Sequence, residues 1–553
     1  MKTLNTALPR VAYFCMEYGL APEFRIYSGG LGILAGDHIK TAGELGLPLV
    51  SIGLLWQHGY TQQLIGDDGR PFDVFLNSKY DFLIDTGVTV NVTIRGRNVV
   101  CKVWETEHFG NAPLYLLDTA VPENEGLLIT DRLYSGSSDD RLAQEIVLGI
   151  GGIRALRALG IAVDVYHFNE GHAALAGVEL IREQMALGVG FEEAWGRIRP
   201  QIVFTTHTPV PAGNASYSHA ALYHAGAYNG LSYDQMARIG GDPFNMTVAG
   251  LRLARLANAV AELHGQTARH MWQNVTGTCP IISITNAVHP GTWQDPKIRA
   301  AYQSGVDLWT SHQEAKKNLI DYIAVRTGAQ FNMDALTVGF ARRAASYKRS
   351  NLIFEDPAVI NPMLRSGKLQ LVFAGKAHPQ DGHGKDIVAN LAAKAREFPN
   401  SVVFLENYDM RLGKLLTRSC DVWLNNPRRP QEASGTSGMK AAMNGVLNLS
   451  VLDGWWPEGC QHGVNGWQIG DAYEGHDQDE RDRRALYHTL FNEVMPVYYN
   501  DRNRWEQMMR ASIEMAVTQF STHRMLREYY ERLYSAAGSA IESTMESAME
   551  SAS

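Results

Sequence analysis

Short apolar runs, rich in β-branched side chains, recur along this chain between longer amphipathic stretches. We predict buried strands at VAYFCM, PLVSIGLL, VDVYHF, QIVFTTHT, IISITNAV, ALTVGFA, LQLVFAGKA, SVVFLEN, CDVWLN and VLNLSVLDG. Many of them are separated by helix-length stretches such as DRLAQEIVLGIGGIRALRALG and GHAALAGVELIREQMA. Near-continuous apolar strands that alternate with helices are typical of parallel sheets covered on both faces. The pattern therefore predicts an α/β fold.

The strand series is interrupted once. A polar, helical stretch follows Asn286–Trp293, and a second series of strands begins near Leu336. Because 553 residues exceed what one doubly wound sheet usually needs, we expect two Rossmann-like domains with a cleft between them. The expected bounds are 1–290 for the first domain, 291–515 for the second, 516–536 for a C-terminal helix that packs back on the first domain, and 537–553 for a disordered tail of small residues.

Composition narrows the class of protein. Hydrophobic residues make up 45% and charged residues 20% of the chain, and the formal net charge is −8. No overall basic character indicates nucleic-acid binding. No signal peptide or 18-residue apolar run is visible, so we expect a cytoplasmic protein that does not bind membranes. The five cysteines are scattered without CxxC spacing, which favours reduced thiols and predicts no metal site.

The segment Glu432–Lys440, EASGTSGMK, has the composition of an anion-binding loop ahead of a short helix that we expect to start near Met439. Small residues before a helix leave backbone N–H groups free, and the helix N-terminus adds about half a positive charge. The lysine could add a further charge or form a Schiff base with an aldehyde cofactor. An ordinary Gly/Ser loop with a surface lysine explains the same residues equally well.

Two further segments have features of phosphate binding. The first is YSGGLGILAG at 27–36, a glycine-rich turn that opens a helix and misses the dinucleotide fingerprint by one residue. The second is ARRAASYKR at 341–349, which places four cations just after a strand, at the edge where open α/β sheets bind ligands. A tight packing turn and a solvated basic turn are the ordinary explanations. The presence of all three segments in one acidic chain favours two phosphates in one cleft.

At these residues the sequence resembles the α-glucan phosphorylases, the family of glycogen, starch and maltodextrin phosphorylases. EASGTSGMKAAMNG is similar to the cofactor-lysine motif usually read EASGTGNMK, with Ser437 and Gly438 in place of Gly-Asn. RRAASYKR is similar to KRIHEYKR but lacks its histidine. Further blocks of the family resemble SGGLGILAGDH, HFNEGHAAL, FTTHTPVP, ITNAVHPGTW, FAGKAHP and FLENY, in family order from about residue 11 to 470.

The chain is shorter than the animal, plant and enteric members and is similar to the compact bacterial type. We therefore expect neither the phosphorylation nor the nucleotide control of some longer members. The resemblance implies a GT-B type glycosyltransferase fold. It also implies a pyridoxal 5'-phosphate cofactor held as a Schiff base on Lys440.

The resemblance also implies roles for other residues. Those expected near the cofactor are Arg342, Thr436, Ser437, Tyr408 and Gly30. The substrate phosphate is expected on Arg343, Lys348 and the N–H groups of Gly30 and Leu31. The glucosyl unit is expected on His207, Asn286, Glu432, Ser434 and Gly435. Glu170 and His172 are expected toward the acceptor side. The residues expected to be catalytic are Lys440, Arg343, Lys348 and His207.

The implied reaction is the reversible phosphorolysis of an α-1,4-glucan or maltodextrin. Inorganic phosphate would release the non-reducing terminal glucose as α-D-glucose 1-phosphate with retention of configuration. Phosphate has a second pKa of about 6, so it can give a proton to the glycosidic oxygen and then attack from the same face. No carboxylate nucleophile is required, in contrast to the two-carboxylate hydrolases. The preferred glucan length, a homodimer and regulation stay open.

Two other functions stay open on the sequence alone. A sugar-nucleotide glycosyltransferase such as a starch or glycogen synthase has the same architecture and a Gly-Gly-Leu-Gly loop, but it does not need the lysine of Glu432–Lys440. A glucan-binding protein without catalysis would not need Lys440, Arg343, Lys348 and His207 together. An aminotransferase is disfavoured because no partner for the pyridine nitrogen is identified. An absorbance band of bound cofactor would separate these functions.

Overall fold

The computed structural model describes residues 8–535 except Leu128 and Ser135. The chain forms two compact units. The first unit contains the chain up to Tyr60, Phe75–Thr285 and the chain from Thr522, and the second contains Thr61–Val74 and Asn286–Ser521. Within the described residues, no helix combines the length and apolar character needed to cross a membrane. The tail expected at 537–553 lies outside the described residues.

The strands in chain order are β1 Val11–Phe14, β2 Leu49–Leu54, β3 Gln62–Ile65, β4 Pro71–Val74, β5 Ile84–Ile94, β6 Arg97–Thr106, β7 Leu114–Asp118, β8 Val165–Asn169, β9 Ile202–Thr205, β10 Ser216–Tyr217, β11 Phe244–Asn245, β12 Leu256–Ala259, β13 Ile281–Ser283, β14 Leu336–Ala341, β15 Leu369–Ala374, β16 Val402–Leu405, β17 Val422–Asn425, β18 Leu447–Val451 and β19 Gly466–Ile469.

The helices in chain order are α1 Gly30–Glu44, α2 Ser138–Ile146, α3 Gly152–Ala158, α4 Leu175–Ala186, α5 Phe191–Ile198, α6 His219–Ala225, α7 Tyr233–Gly240, α8 Met246–Leu253, α9 Glu262–Trp272, α10 Pro290–Trp293, α11 Pro296–Ser304, α12 Leu308–Thr327, α13 Pro357–Arg365, α14 Gly382–Glu397, α15 Met410–Ser419, α16 Ser437–Ala442, α17 Trp456–Gly459, α18 Gln478–Thr489, α19 Met495–Asn500, α20 Arg502–Gln519 and α21 Thr522–Glu528.

The first unit is built on one sheet with the strand order β13-β12-β9-β8-β1-β2-β7-β6-β5. From β13 to β7 every neighbouring pair is parallel. The pairs β7–β6 and β6–β5 are antiparallel, so a long hairpin forms one edge of the sheet. The predicted strands at β1, β2, β8, β9 and β13 are confirmed, whereas β5, β6, β7 and β12 are not among the predicted strands.

The second unit has a fully parallel sheet with the order β16-β15-β14-β17-β18-β19. The inner strands β14 and β15 are buried at every position, as near-continuous apolar sequences require. The antiparallel hairpin β3–β4 belongs to this unit, where the Gln63 amide donates a hydrogen bond to the Ala377 carbonyl oxygen at 3.2 Å. The predicted α/β fold with large parallel sheets is confirmed.

The end of the described chain packs within the first unit. Thr522 on α21 shares a hydrogen bond with Thr41 on α1, and Tyr529 accepts one from Asn258 at 3.1 Å. The Tyr534 hydroxyl lies 2.8 Å from Nδ1 of His167, on β8. The domain bounds expected at 290, 515 and 536 stay a prediction, and the compact units differ from them because residues 61–74 group with the second unit.

Candidate functional site

The glycine-rich turn of the first unit is organised around a buried carboxylate. Glu17, just after β1, accepts hydrogen bonds from the backbone N–H groups of Ser28 and Gly29 and, at 2.9 Å, from the Tyr134 hydroxyl. Burial raises the pKa of Glu17, and these hydrogen bonds partly oppose the shift. Glu17 therefore holds the turn that opens α1, a role that no sequence motif predicted.

The glycines of this turn serve two different purposes. A Cβ on Gly32 would lie 2.6 Å from a Glu17 oxygen, and one on Gly36 would lie 2.1 Å from the Gly19 carbonyl oxygen. Packing therefore explains Gly32 and Gly36. A Cβ on Gly29 or Gly30 would meet no atom within 4 Å, so packing does not explain these two. Gly30 and Leu31 are the first residues of α1, where N–H groups without an intrahelical partner are expected.

A second buried carboxylate shapes the loops after β8 and β9. Glu170 has a φ of +81°, a strained value for a non-glycine residue. Its carboxylate accepts hydrogen bonds from the Gly171 and His207 N–H groups, both at 2.9 Å, and from the Thr208 hydroxyl at 3.1 Å. Burial raises the pKa of Glu170, and these donors oppose the shift. Glu170 therefore joins the two loops that carry His172 and His207.

Both histidines of these loops are uncharged near neutral pH. Burial lowers the pKa of His207 to about 3 and that of His172 to about 4. The Nε2 atom of His207 lies 2.6 Å from Oδ1 of Asn169, which fixes the ring. His172 packs against Tyr134 with ring centroids 5.7 Å apart. Because Tyr134 also binds Glu17, the structure brings His172 together with the glycine-rich turn.

Asn286 is predicted to contact the sugar. It follows β13, is buried at 5% exposure and is the first residue of the chain's longer second-unit segment.

The Cys15 thiol, close to Glu17, accepts a hydrogen bond from the Asn169 amide at 3.4 Å. Neither Asn169 nor Cys15 was expected at the site. Asn169 could have been suggested by its place in the quoted block HFNEGHAAL.

In the second unit, the cationic segment after β14 contains side chains in different surroundings. Arg342 and Lys348 are buried, whereas Arg343 is exposed. Arg349 has a φ of +52° and donates hydrogen bonds to the backbone of Asn426 and Pro427 and to Asp482. Arg349 therefore supports the loop, while the other three cations are available to the site.

Glu432 forms ion pairs with two of these cations. Its Oε2 atom accepts hydrogen bonds from both Arg342 and Lys348. Burial opposes the ionisation of Glu432, but the two cations outweigh it and lower its pKa to about 2. Burial, together with the positive charge of Arg342, lowers the pKa of Lys348 to about 7. Glu432 thus forms one ion triad with Lys348 and Arg342, which lie 84 and 90 positions before it in the sequence.

A turn after β18 holds the backbone around Glu432. Asp453 accepts a hydrogen bond from the Glu432 N–H group at 2.9 Å, and the Trp455 N–H group donates to the Ser434 carbonyl oxygen at 2.9 Å. Gly454 has a φ of +59°, and a Cβ there would lie 2.1 Å from that same carbonyl oxygen. Burial and the charge of Glu432 raise the pKa of Asp453 to about 7. Asp453 is a site residue that the sequence did not suggest.

The predicted cofactor lysine lies against an indole ring. Nζ of Lys440 is 3.7 Å from the centroid of the Trp293 ring, and both residues are buried. Tyr408 lies nearby, since a Cβ on Gly413 would be 3.1 Å from the Tyr408 hydroxyl and 3.8 Å from the Trp293 ring. Trp293 was not predicted as a site residue, although it stands in the quoted block ITNAVHPGTW.

The helix that carries Lys440 begins two residues earlier than expected, at Ser437. The Ser437 hydroxyl accepts a hydrogen bond from the Trp423 indole at 3.1 Å. A Cβ on Gly438 would lie 2.5 Å from Oδ1 of Asn448 and 3.0 Å from the Trp455 ring. The Ser437-Gly438 sequence therefore fits this packing, and a larger residue at 438 would displace Trp455 or Asn448.

Two buried polar atoms next to Glu432 lack a hydrogen-bond partner within the described residues, Nη1 of Arg342 and Oγ of Ser434. Gly435, with a φ of +79°, lets the loop pass Arg342, whose Nη2 would lie 3.4 Å from an added Cβ. A buried guanidinium nitrogen and a buried hydroxyl that no described residue satisfies favour a polar or anionic ligand. A phosphate-bearing cofactor on Lys440 fits this donor set.

The first unit has a mostly parallel sheet and the second a fully parallel one. The predicted site segments follow the carboxyl ends of their strands, where open α/β sheets bind ligands. Residues 299–458 match the family model described as Carbohydrate phosphorylase. The chain is 41% identical to the Maltodextrin phosphorylase of Thermococcus litoralis, over 95% of this chain and 70% of the relative. It is 37% identical to the Glycogen phosphorylase of Mycobacterium bovis, over 96% of this chain and 71% of the relative. It is 35% identical to the Glycogen phosphorylase of Aquifex aeolicus, over 95% of this chain and 86% of the relative. The chain belongs to the carbohydrate phosphorylase family.

Proposed function

We propose that this enzyme is an α-glucan phosphorylase that uses inorganic phosphate to release terminal glucose from α-1,4-glucans or maltodextrins as α-D-glucose 1-phosphate. The observation that carries the proposal is the second-unit loop. Glu432 holds two cations there, Arg343 stays exposed, and the same loop leads to the buried Lys440. A sugar-nucleotide transferase has no need of the buried lysine, and a non-catalytic glucan-binding protein has no need of the cations.

Pyridoxal 5'-phosphate is the proposed cofactor, attached to Lys440. Arg342, Thr436 and Ser437 bind its phosphate, and Tyr408 packs near its ring. The Arg342 Nη1 atom, which has no hydrogen-bond partner among the described residues, supports this assignment. Gly30 was also predicted to approach the cofactor, and the open space at its Cα supports a close ligand. When bound, the cofactor supplies a phosphate group that can exchange a proton near neutral pH.

The substrate phosphate binds to Arg343, Lys348 and the N–H groups of Gly30 and Leu31. An exposed guanidinium offers two parallel donors to a phosphate, and an ammonium adds a point charge. These cations reduce the repulsion between two phosphates, which would otherwise be large at contact distance. Lys348 keeps its position through Glu432 and through the Tyr347 ring, whose centroid is 4.6 Å from Nζ.

The glucosyl unit binds to His207, Asn286, Glu432, Ser434 and Gly435. A neutral histidine offers a directed hydrogen bond to a hydroxyl without attracting the phosphate, and the low pKa of His207 supports that role. The Ser434 hydroxyl, which has no partner in the described part of the chain, is available to a sugar hydroxyl. Asp453 acts as a positioning residue, because it holds the Glu432 backbone.

On the acceptor side, Glu170 and His172 shape the path of the remaining glucan. The contacts of Glu170 with the His207 and Thr208 loop support a positioning role for its carboxylate. His172 is the better candidate for a direct contact, because its buried Nδ1 atom has no partner within the described residues.

The reaction proceeds with retention. The substrate phosphate gives a proton to the glycosidic oxygen while the bond from that oxygen to the anomeric carbon breaks. A phosphate oxygen then forms the new bond to the same carbon from the same face. Arg343 and Lys348 hold the phosphate through both steps, and His207 strengthens its hydrogen bond as charge develops on the sugar ring.

A direct assay tests the proposal. Purified enzyme is incubated with maltodextrin and phosphate, and glucose 1-phosphate is measured alongside the absorbance of bound cofactor. We expect product that depends on phosphate, and we expect no glucosyl transfer from UDP-glucose or ADP-glucose. Transfer from a sugar nucleotide without phosphorolysis would contradict the proposal. A cytoplasmic location and a homodimer stay predictions.

A further inference from the structure

A cavity of about 510 Å³ lies in the first unit between α5, α7, α8 and the turn before β13. None of its lining residues belongs to the proposed catalytic or binding residues. Its volume falls within the range of roughly 300–1,000 Å³ that small-molecule sites occupy. Three arginines line it, Arg199, Arg238 and Arg252, with Glu192 as the one acidic lining residue.

The arginines are not equally neutralised. Arg238 forms an ion pair with Glu192. Arg199 and Arg252, in contrast, form no ion pair with a carboxylate of the described chain, and both are only partly exposed. The cavity therefore contains two guanidinium groups that form no ion pair with a carboxylate of the described residues.

Backbone carbonyl groups hold these two guanidinium groups in place. Arg199 donates to the Ala254 and Gly277 carbonyl oxygens at 3.1 and 3.2 Å. Arg252 donates to the Thr276 carbonyl oxygen at 3.0 Å. Because Thr276 and Gly277 are adjacent, both guanidinium groups lie at the same turn. Such fixed cations bind an anion without having to be ordered first.

An aromatic side chain supplies the rest of the cavity wall. Trp195 on α5 lines the cavity, and its buried indole N–H group has no hydrogen-bond partner within the described residues. The indole offers apolar surface for a ring and a donor for a polar group. We propose that this cavity binds a phosphorylated small molecule, with its phosphate on Arg199 and Arg252 and its organic ring against Trp195.

The phosphate could come from free inorganic phosphate or from a sugar phosphate, and the cavity volume favours the sugar phosphate. Isothermal titration of the full chain with glucose 1-phosphate, in the absence of glucan, tests the proposal. If the proposed catalytic site also binds this compound, we expect two binding sites per chain. Arg252→Gln and Arg199→Gln should each weaken one of them at least tenfold and leave phosphorolysis unchanged.

Arg197→Gln is the matched control, because Arg197 pairs with Glu193 on α5 and does not line the cavity. It should retain both sites. A single site that survives Arg252→Gln and Arg199→Gln, or an equal loss in Arg197→Gln, would overturn the proposal. Equal affinity of the second site for inorganic phosphate would overturn the part assigned to the organic ring.

Failure of the proposed function gives a different result. In that case the parent protein shows no phosphorolysis. It still binds glucose 1-phosphate in the cavity, and Arg252→Gln still removes that binding. Thermal melting of each variant checks folding, and the two arginine variants provide independent tests if one of them is unstable.

Discussion

The functional loops of the two units hold their buried carboxylates in opposite ways. In the first unit, Glu17 and Glu170 accept hydrogen bonds from backbone N–H and hydroxyl groups, and burial raises the pKa of both. In the second unit, Glu432 accepts hydrogen bonds from Arg342 and Lys348, and these cations lower its pKa to about 2 against the effect of burial.

This difference indicates which chemistry each region suits. Neutral donors and neutral histidines fix the shape of the first-unit loops with little net charge, which suits the hydroxyl groups of a sugar. Clustered cations in the second unit suit phosphate, because charge-assisted hydrogen bonds are shorter and roughly twice as strong as neutral ones. Variants of Lys440, Arg343, His207 and Lys348 test this division.

Lys440→Ala should remove both cofactor retention and activity, because Lys440 is the buried amine that follows the Glu432 loop. Absorbance of the purified variant and its rate of phosphorolysis are the measurements. Borohydride reduction of the parent enzyme followed by peptide mapping should label Lys440. Lys394→Ala is the control, since Lys394 pairs with Glu397 at the surface. Labelling of another lysine would contradict the assignment of Lys440 as the cofactor lysine.

Arg343→Ala and His207→Ala should separate phosphate recognition from sugar recognition. Loss of a charge-assisted hydrogen bond of about 1.5–3 kcal/mol should raise the phosphate KM of Arg343→Ala by roughly ten- to a hundred-fold and lower kcat. His207→Ala should lower kcat/KM for maltodextrin and leave the phosphate KM nearly unchanged.

Steady-state kinetics with phosphate and maltodextrin varied separately decide between these outcomes. Arg326→Ala is a suitable control, because Arg326 is an exposed arginine of the same unit outside the proposed site. The same proportional loss for both substrates in Arg343→Ala and His207→Ala would show that the two residues act through general structure. The proposed division between the two units would then be wrong.

Rate measurements against pH sharpen the comparison further. Burial and Arg342 lower the pKa of Lys348 to about 7, so its positive charge is present below that pH and lost above it. We therefore expect kcat/KM for phosphate to fall about fivefold between pH 7 and pH 8, and about fiftyfold between pH 7 and pH 9. Lys348→Arg should flatten this limb, because an arginine stays charged throughout. An identical profile in the variant would assign the titration to another group.

Local sequence was sufficient for much of the fold. The ten predicted strands are confirmed because their long apolar runs must be buried on both faces. The hairpin β5–β6 was missed even though IDTGVTVNVTI alternates polar and apolar residues, a pattern typical of an edge strand with one exposed face. The placement of residues 61–74 with the second unit depends on contacts with residues such as Ala377, which lie far away in sequence.

The motifs led to the family and the enzyme class, and both predictions are confirmed. They could not give the contacts within the site. The ion pairs of Glu432 with Arg342 and Lys348 depend on the pairing of β14 with β17. The hydrogen bond from the Glu432 N–H group to Asp453 depends on the pairing of β17 with β18. The roles of the individual residues, and the arrangement of 27–36 and 207–214 opposite 342–349 and 432–440, stay predictions.

Two buried carboxylates within the first unit, Glu145 and Glu179, differ in the same way on a smaller scale. Glu145 on α2 has no cation in hydrogen-bond contact among the described residues, and burial raises its pKa to about 8. Glu179 on α4 binds Arg154 and Arg182, and although burial opposes its ionisation, these partners lower its pKa.

The signs of the two pH effects are opposite. The unfolded chain releases the Glu145 proton near pH 4.5, whereas the folded chain holds it to about pH 8, so Glu145 lowers stability as pH rises through that window. Glu145→Gln removes this loss. We expect its Tm to match the parent near pH 4.5 and to exceed it at pH 8 by about 1–3 °C, as a gain on the order of 1–2 kcal/mol implies for a unit of this size.

Glu179→Gln should behave in the opposite way. The lowered pKa of Glu179 gives stability that is present above about pH 4.5 and lost as pH falls, so the variant should melt below the parent at pH 7. Melting curves of both variants between pH 4.5 and 8 test the pair. If both variants lower Tm equally at pH 8, the partners of a buried carboxylate do not set its contribution, and the contrast drawn between Glu170 and Glu432 loses its physical basis.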